Sequence, residues 1–356
     1  MLNRYADRFA IVLKGAEKLR TVIACVIAAI CVAAGLTALT SCAPKPSVHA
    51  ARTIVIAQAG DFFLYAPLYI AVDAHLFEEQ GLNVNLISTG GDEKTWAAVL
   101  SGAASFGVAD PTFVAIAGQR GEPGRVIASI VNGVPFWGIT YRSDIPVIKR
   151  PDELDGYTVA TFSSPSTAYT LQREMYVKGG RQPRIRQAAF GTLEAVLRAH
   201  QADIALELEP NVSQAVGTGA RVVYSMPDFY GDFAITGLTA TPALLEKDPA
   251  LARAVVCGIE LALQFARNRP DESLRILTKR FPEIAPSVAK SAFRRVLSAD
   301  IIPRSVVVGP AAWKKAVALR VAAGDLKTLQ NANSYLDNRY AIRAQQYCRL
   351  NAKAGR

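Results

Sequence analysis

The sequence predicts an α/β fold of two domains, each a doubly wound, mostly parallel sheet, and three observations lead there. Short runs rich in Val, Ile and Thr alternate with stretches of helical period, the pattern of strands joined by crossover helices. The alternation pauses at a turn-rich segment, Pro151-Asp152-Glu153-Leu154-Asp155-Gly156, and then restarts. A chain of 356 residues, 51% hydrophobic and 20% charged, is long and apolar enough for two cores.

In the first unit, residues 53–57 form a β-branched run that reads as a buried strand, and 58–66 form a loop. Pro67 opens a helix, where its missing N–H costs nothing, and the apolar stripe Leu68, Ala71, Val72 and Leu76 leads to a stop at Gly81. Residues 82–86 alternate with period two, as a half-buried strand does. Then follow a helix over 92–100 ended by Gly102, a strand at 106–109, a helix opened by Asp110-Pro111 and a strand at 126–130. The second unit repeats the logic: strand 157–161, loop 162–166, helix 167–178 ended by Gly179-Gly180, strand 185–189, helix 193–200, strand 203–208. Glu209-Pro210 opens the next helix, and 221–224 closes the unit. Residues 136–141 and 233–238 read as strands that carry the chain into the second domain and back. From Pro242 the chain is helical, apart from a strand signal near Val306, and this last third is expected to pack on the first domain. The expected bounds are 53–140 with 235–356 for the first domain and 141–234 for the second.

Ahead of the first strand, basic residues ending at Lys18 and Arg20 precede an uncharged stretch, 21–40, rich in Ala, Val, Ile and Leu. It is long enough to span a bilayer, so a retained anchor is one reading. Leu39-Thr40-Ser41-Cys42 resembles the lipobox of bacterial lipoproteins, in which the Cys is acylated and becomes the mature N-terminus. That makes 1–41 a lipoprotein signal peptide and anchors Cys42 to a membrane on its extracytoplasmic side. Residues 42–52, with Pro44 and Pro46, read as a tether that extends roughly 30 Å. Cys25 and Cys31 leave with the signal. Cys257 and Cys348 remain, and two buried free thiols are the expectation, with a disulfide as the alternative. The formal charge is +10; residues 1–41 contribute five basic and two acidic groups, or +3, leaving +7. No Lys/Arg run is interleaved with aromatics, so a nucleic-acid partner is not expected. Without a Cys-x-x-Cys pair, neither is a metal or other cofactor.

Several ordered segments carry a family resemblance. Ala66-Pro67-Leu68-Tyr69-Ile70-Ala71 with Leu76-Phe77-Glu78-Glu79-Gln80-Gly81-Leu82-Asn83-Val84 closely resembles the opening of one family of ABC-importer solute-binding proteins. Its members bind nitrate, sulfonates, taurine and thiamine-type pyrimidines, and the thiamine-pyrimidine synthase shares their fold. Residues 97–109, the Pro151–Gly156 segment, and His200-Gln201-Ala202-Asp203-Ile204-Ala205 with Glu209-Pro210 are similar to later segments of that family, over about 53–240 in all. Ala104-Ser105 stands where many members have Asp, and His200 where many have Gly. The resemblance implies a type II periplasmic-binding-protein fold with a two-stranded hinge. It implies a monomeric receptor that closes around a small molecule and hands it to permease and ATPase subunits. Enzymes of the same fold are the alternative. However, the synthase's CCCFC segment and the cleft cysteine of the desulfinases have no counterpart here, and His49, His75 and His200 build no catalytic constellation.

Ligands of doubly wound sheets bind beyond the carboxyl ends of the strands, which singles out particular residues. Asp61, Phe62 and Tyr65 follow the first strand, where they face a planar ligand or serve as turn and core. Gly91 and Asp92 open a helix, and Asp110 caps another at the cleft edge. Ser164, Ser166 and Thr167 surround a helix start that can hold an anion or simply cap the helix. Glu209 precedes a helix-opening Pro, at what resembles a family pocket position; Trp137 and Tyr230 lie next to the crossings. With Phe63, Phe136 and Phe162 these loops are rich in aromatics. The expected ligand is therefore a small organic molecule, planar or partly apolar. Its anionic group would sit near Ser166 and Thr167, with a polar group facing Asp61 or Glu209.

Overall fold

The β-branched run at the start of the first unit forms β1 (Arg52–Gln58), which pairs in parallel with β2 (Leu82–Ser88) and β3 (Phe106–Ala109). The structure is a computed structural model that describes residues 51–122, 124–164, 166–328 and 332–350. The expected signal 1–41, Cys42 and the expected tether up to residue 50 lie outside the described residues.

Two five-stranded sheets organise the body. The first has the order β2-β1-β3-β10-β4, with β4 (Arg125–Asn132) and β10 (Ala234–Ala240). The second has the order β7-β6-β8-β5-β9, with β5 (Trp137–Thr140), β6 (Val159–Phe162), β7 (Ile185–Ala188), β8 (Ile204–Glu207) and β9 (Arg221–Ser225). Each sheet is mixed. β10 runs antiparallel to both of its neighbours in the first sheet, and β5 does the same in the second. The reversed strands are those next to the crossings, because a chain that leaves one sheet and returns must run backwards once in each.

The connecting helices follow in chain order. In the first lobe they are α1 (Ala66–Asp73), α2 (Asp92–Leu100) and α3 (Phe113–Gly118). In the second they are α4 (Thr167–Lys178), α5 (Leu193–Arg198), α6 (Asn211–Gly217) and α7 (Met226–Tyr230). The C-terminal third is α8 (Pro242–Lys247), α9 (Pro249–Asn268), α10 (Pro270–Arg280), α11 (Pro286–Ser298), α12 (Pro310–Ala323) and α13 (Arg339–Tyr347).

Several expectations need correcting. The first helix stops at Asp73, not at Gly81: His75 takes a φ of 60°, and Gly81, at 74°, caps a single 3-10 turn over Glu78–Gln80. The break turns Leu76 and Phe77 into the core, both almost wholly buried. Trp137–Thr140 belongs to the second sheet, because its backbone pairs with β8 and β9. The outward crossing therefore lies at 133–136, ahead of the expected boundary after 140. Each crossing holds a glycine in the left-handed region, Gly133 at φ 69° and Gly231 at φ 59°, and the segments are joined by the Gly133 N–H to the Phe233 carbonyl. The region near Val306 is a loop. Its main chain is held by the Ser129 N–H and by the Glu260 carboxylate, which replace a ladder. The last third does not confine itself to the first lobe, since α11 also packs on α6 of the second.

Cys257 and Cys348 are bonded, with an S–S distance of 2.08 Å, so the expectation of two free thiols is overturned. α13 docks along α9, which brings the two Cα atoms within 5.7 Å, inside bridging range. His200, at the family's glycine position, has φ 52°, a conformation that glycine adopts without cost.

Candidate ligand-binding cleft

Between the sheets, the segments that follow β1, β2, β3, β6 and β8 converge on a cavity of about 100 Å³. Phe62, Leu64, Pro135, Leu208 and Ile235 supply its apolar wall; Tyr65, Asp92, Asp110, Thr167 and Thr236 supply its polar groups. It therefore occupies the carboxyl edges of both sheets, where doubly wound folds leave helix N-termini and free loops.

Two carboxylates of the first lobe meet there. The Asp110 N–H donates to Asp92 Oδ1 at 2.9 Å. Burial, and then the neighbouring Asp110 charge, push the Asp92 carboxyl up to about 6. Asp110 Oδ1 accepts from the Thr112 N–H and hydroxyl at 2.8 and 2.6 Å, which fixes its rotamer at the start of α3.

Across the gap, Thr167 at the start of α4 donates its hydroxyl to Asp110 Oδ2 at 2.9 Å. Arg320 of α12 completes the junction. Its Nη2 donates to Asp110 Oδ2 at 2.7 Å and to Thr167 Oγ1 at 2.9 Å, its Nε to Thr112 Oγ1 at 3.1 Å and its Nη1 to Asp325 at 3.0 Å. This guanidinium is 2% exposed. A second bridge runs from Arg295 of α11 to Glu209 Oε1 at 2.6 Å, with the guanidinium also near the Trp137 ring. Glu209 further accepts from the Ser213 N–H and hydroxyl; burial raises its pKa, with Ser213 and Arg295 opposing. The mouth is aromatic: Phe62 of the first lobe meets Phe190 of the second at 5.5 Å between ring centroids, and Phe190 meets Phe162 at the same distance.

The expected site residues divide accordingly. Phe62, Tyr65, Asp92, Asp110 and Thr167 line the cavity. Asp61 lies at its edge, engaged by Gln58 Nε2 at 2.6 Å and by the Ser88 hydroxyl at 2.9 Å. Gly91 is the N-cap of α2 and Ser166 that of α4, its hydroxyl accepting the Tyr169 N–H at 3.2 Å. Ser164 is exposed, its N–H on Gln187. Trp137 and Glu209 belong to the Arg295 bridge and do not line the cavity. Tyr230 is displaced from the cleft. Its hydroxyl bonds the Leu171 carbonyl of α4 and its ring lies under Lys178, because α7 turns the chain back into its own lobe. The residues that sequence reasoning missed are Arg295, Arg320, Thr236 and Phe190. The arginines sit on helices read as scaffolding, and no local pattern set them apart from the other basic residues.

A family model described as NMT1/THI5 like matches residues 63–273. No curated protein matches the chain. Among solved structures, the periplasmic aliphatic sulphonate-binding protein SsuA of Escherichia coli superposes with a TM-score of 0.66 at 14% identity, over 80% of this chain and 97% of that one. A Bordetella bronchiseptica protein gives 0.65 at 20% identity, over 83% and 97%. The periplasmic nitrate-binding protein NrtA of Synechocystis gives 0.62 at 13%, over 85% and 91%. At such identities the shared feature is the fold.

Proposed function

The chain belongs to the NMT1/THI5-like family, and we propose that it is the extracytoplasmic, lipid-anchored solute-binding component of an ABC importer. One observation carries this reading: a cavity at the carboxyl edges of two sheets is bridged from lobe to lobe by charged contacts. A cavity of about 100 Å³ holds a few heavy atoms, whereas solute sites run to about 300 Å³ or more. Ligand entry therefore requires the lobes to part about Gly133 and Gly231. A ligand closes such a cleft only by contacting both halves better when it is shut.

The ligand we infer is small, organic and planar or partly apolar, of the sulfonate or pyrimidine type. Phe62 and Tyr65 supply faces for a ring. Asp92 favours a solute that presents an N–H group to it, Asp110 being already held by Thr112, Thr167 and Arg320, and this ranks pyrimidine-like compounds ahead of sulfonates. Binding without turnover fits the cysteines, since both described ones are bonded to each other and offer no thiol.

A thermal-shift screen of aminopyrimidines, alkyl and aryl sulfonates, nitrate and bicarbonate tests this. The right class stabilises by RT ln(1 + [L]/Kd), about 2.7 kcal/mol at one hundred times Kd. Asp92→Asn should weaken the hit at least tenfold, and the ligand should be recovered unchanged. A response to inorganic anions alone would defeat the aromatic-wall argument, and a modified product would make the protein an enzyme.

The anchor has its own test. Cys42→Ala is expected to abolish both acylation and cleavage after Ser41, leaving unprocessed precursor. Intact-mass measurement of native protein that still carries residues 1–41 would replace the lipoprotein by a membrane-spanning anchor.

A further inference from the structure

Where the described chain begins, the surface is basic and aromatic. Arg52, the first residue of β1, forms an ion pair with Asp248, whose other oxygen caps α9 through the Leu251 N–H. Directly beyond Asp248, an open groove of about 520 Å³ is lined by Pro249, Arg253, Arg339, Ile342, Arg343 and Tyr347, among others. Tyr347 is 72% exposed and Ile342 44%, so two of the eight large apolar side chains exposed among the described residues share this one groove. Arg253 and Arg343 are exposed, and neither has an ion-pair partner among the described residues. The Arg343 guanidinium lies 5.4 Å from the Tyr347 ring centroid, while Arg339 is paired with Asp337 at 2.7 Å. The platform is firm. The Cys257–Cys348 bond ties the end of α13 to α9, and the Tyr340 hydroxyl holds its start to the Leu245 carbonyl.

Unpaired arginines beside an exposed tyrosine and isoleucine match the chemistry of a membrane surface. Guanidinium groups fork onto phosphates, and a phenol ring sits comfortably at the level of the headgroups. Position agrees with composition. Cys42 lies ten residues before Arg52, and a ten-residue chain spans at most about 35 Å, so an anchored body stays within that reach of the bilayer. We propose that this groove rests on anionic phospholipid headgroups, with Arg253 and Arg343 on the phosphates and Tyr347 and Ile342 between them. The contact holds the folded body at the membrane with a fixed side toward it. The nearness of a membrane rests on the anchor reading; the contact itself does not.

The test uses the chain from Ala43 onward, without acyl groups, since the described residues from Ala51 onward form one compact unit with both sheets complete. Co-sedimentation with vesicles of phosphatidylglycerol and phosphatidylcholine should show binding that falls with salt, and phosphatidylcholine vesicles alone should bind little. Arg253→Gln with Arg343→Gln should lower partitioning about 25-fold, at about fivefold per arginine; the same pair changed to Lys should retain most of it. Tyr347→Ser should weaken it further. Arg181→Gln with Arg186→Gln removes equal charge from the second lobe. An equal loss from that pair would mean diffuse attraction by net charge and would overturn the proposal, as would no binding or equal binding to both vesicles. Intact mass of the native protein reports the anchor separately, so an unacylated Cys42 with positive vesicle binding would discard the anchor and keep the surface.

Discussion

Arg320→Met is expected to destabilise the folded protein by about 3–5 kcal/mol, the cost of breaking a buried ion pair from one side. Arg320 and Asp110 are 2% and 7% exposed in their side chains, and removing the cation leaves the carboxylate buried with only hydroxyl and N–H partners. Urea unfolding reads the loss, and adding Asp110→Asn should restore part of it, because the buried position then carries no charge, and Asp325, the other carboxylate that Arg320 pairs with, is 31% exposed and solvated. The variant should also open the cleft. Its contact with Thr167 is a charge-assisted bond between lobes, of the kind that contributes about 1.5–3 kcal/mol. The ratio of closed to open molecules should fall about ten- to a hundredfold, with a larger radius in solution scattering and weaker ligand binding by a similar factor. Lost stability with an unchanged radius and affinity would reduce Arg320 to a structural role.

Stability should fall as pH rises from about 5 to 8, the reverse of what paired surface carboxylates produce. Glu207, at the end of β8 and 1% exposed, is pushed from the ordinary 4.5 to about 7 by burial, with the Leu208 N–H it accepts opposing. The native state thus binds this proton more tightly than the unfolded chain. No cost exists below the unfolded pKa; the cost grows as pH climbs through the folded one and is complete above it. A shift of this size corresponds to about 3 kcal/mol at most. Asp92, raised to about 6 in the cleft, acts in the same direction. Asp248 and Asp337 have lowered values and withdraw stability only in more acid solution, which places the optimum near about pH 5. Glu207→Gln should gain about 2–3 kcal/mol at pH 8, under about 1 kcal/mol at pH 5, and flatten the profile between them. Denaturant midpoints at the two pH values measure this. A profile as steep as that of the parent would assign the dependence to other groups.

Two helices were legible to the residue. The stretch 167–178, with Ser166 before it and a glycine pair behind, forms α4 over those same residues, and 92–100 does the same as α2. The helix after Pro67 is shorter than its pattern implies, because the apolar stripe continues through Leu76 while the backbone turns at His75 to bury it. The cavity lining was legible where strand ends announce it: Phe62, Tyr65, Asp92, Asp110 and Thr167 all follow strands and all line the cavity. Tyr230 shows the limit. It lies close in sequence to a crossing, yet α7 folds its ring against α4, and proximity along the chain carried no information about direction.

The sequence by itself determined the alternation of strands and helices, the restart that makes two sheets, and the loops from which a ligand can be reached. These depend on period, capping and turn chemistry, which act over a few residues and can be read there. Tertiary structure alone decided which strand joins which sheet at the crossing, that Cys257 meets Cys348, and that Arg320 and Arg295 clamp the cleft. Those contacts join residues 91, 153 and 86 positions apart. An arginine on an amphipathic helix has the same local signature whether it ends in water or against a buried carboxylate. Only the packing of α11 and α12 across both lobes brings the charges together, and burial then makes each bridge strong and its loss costly.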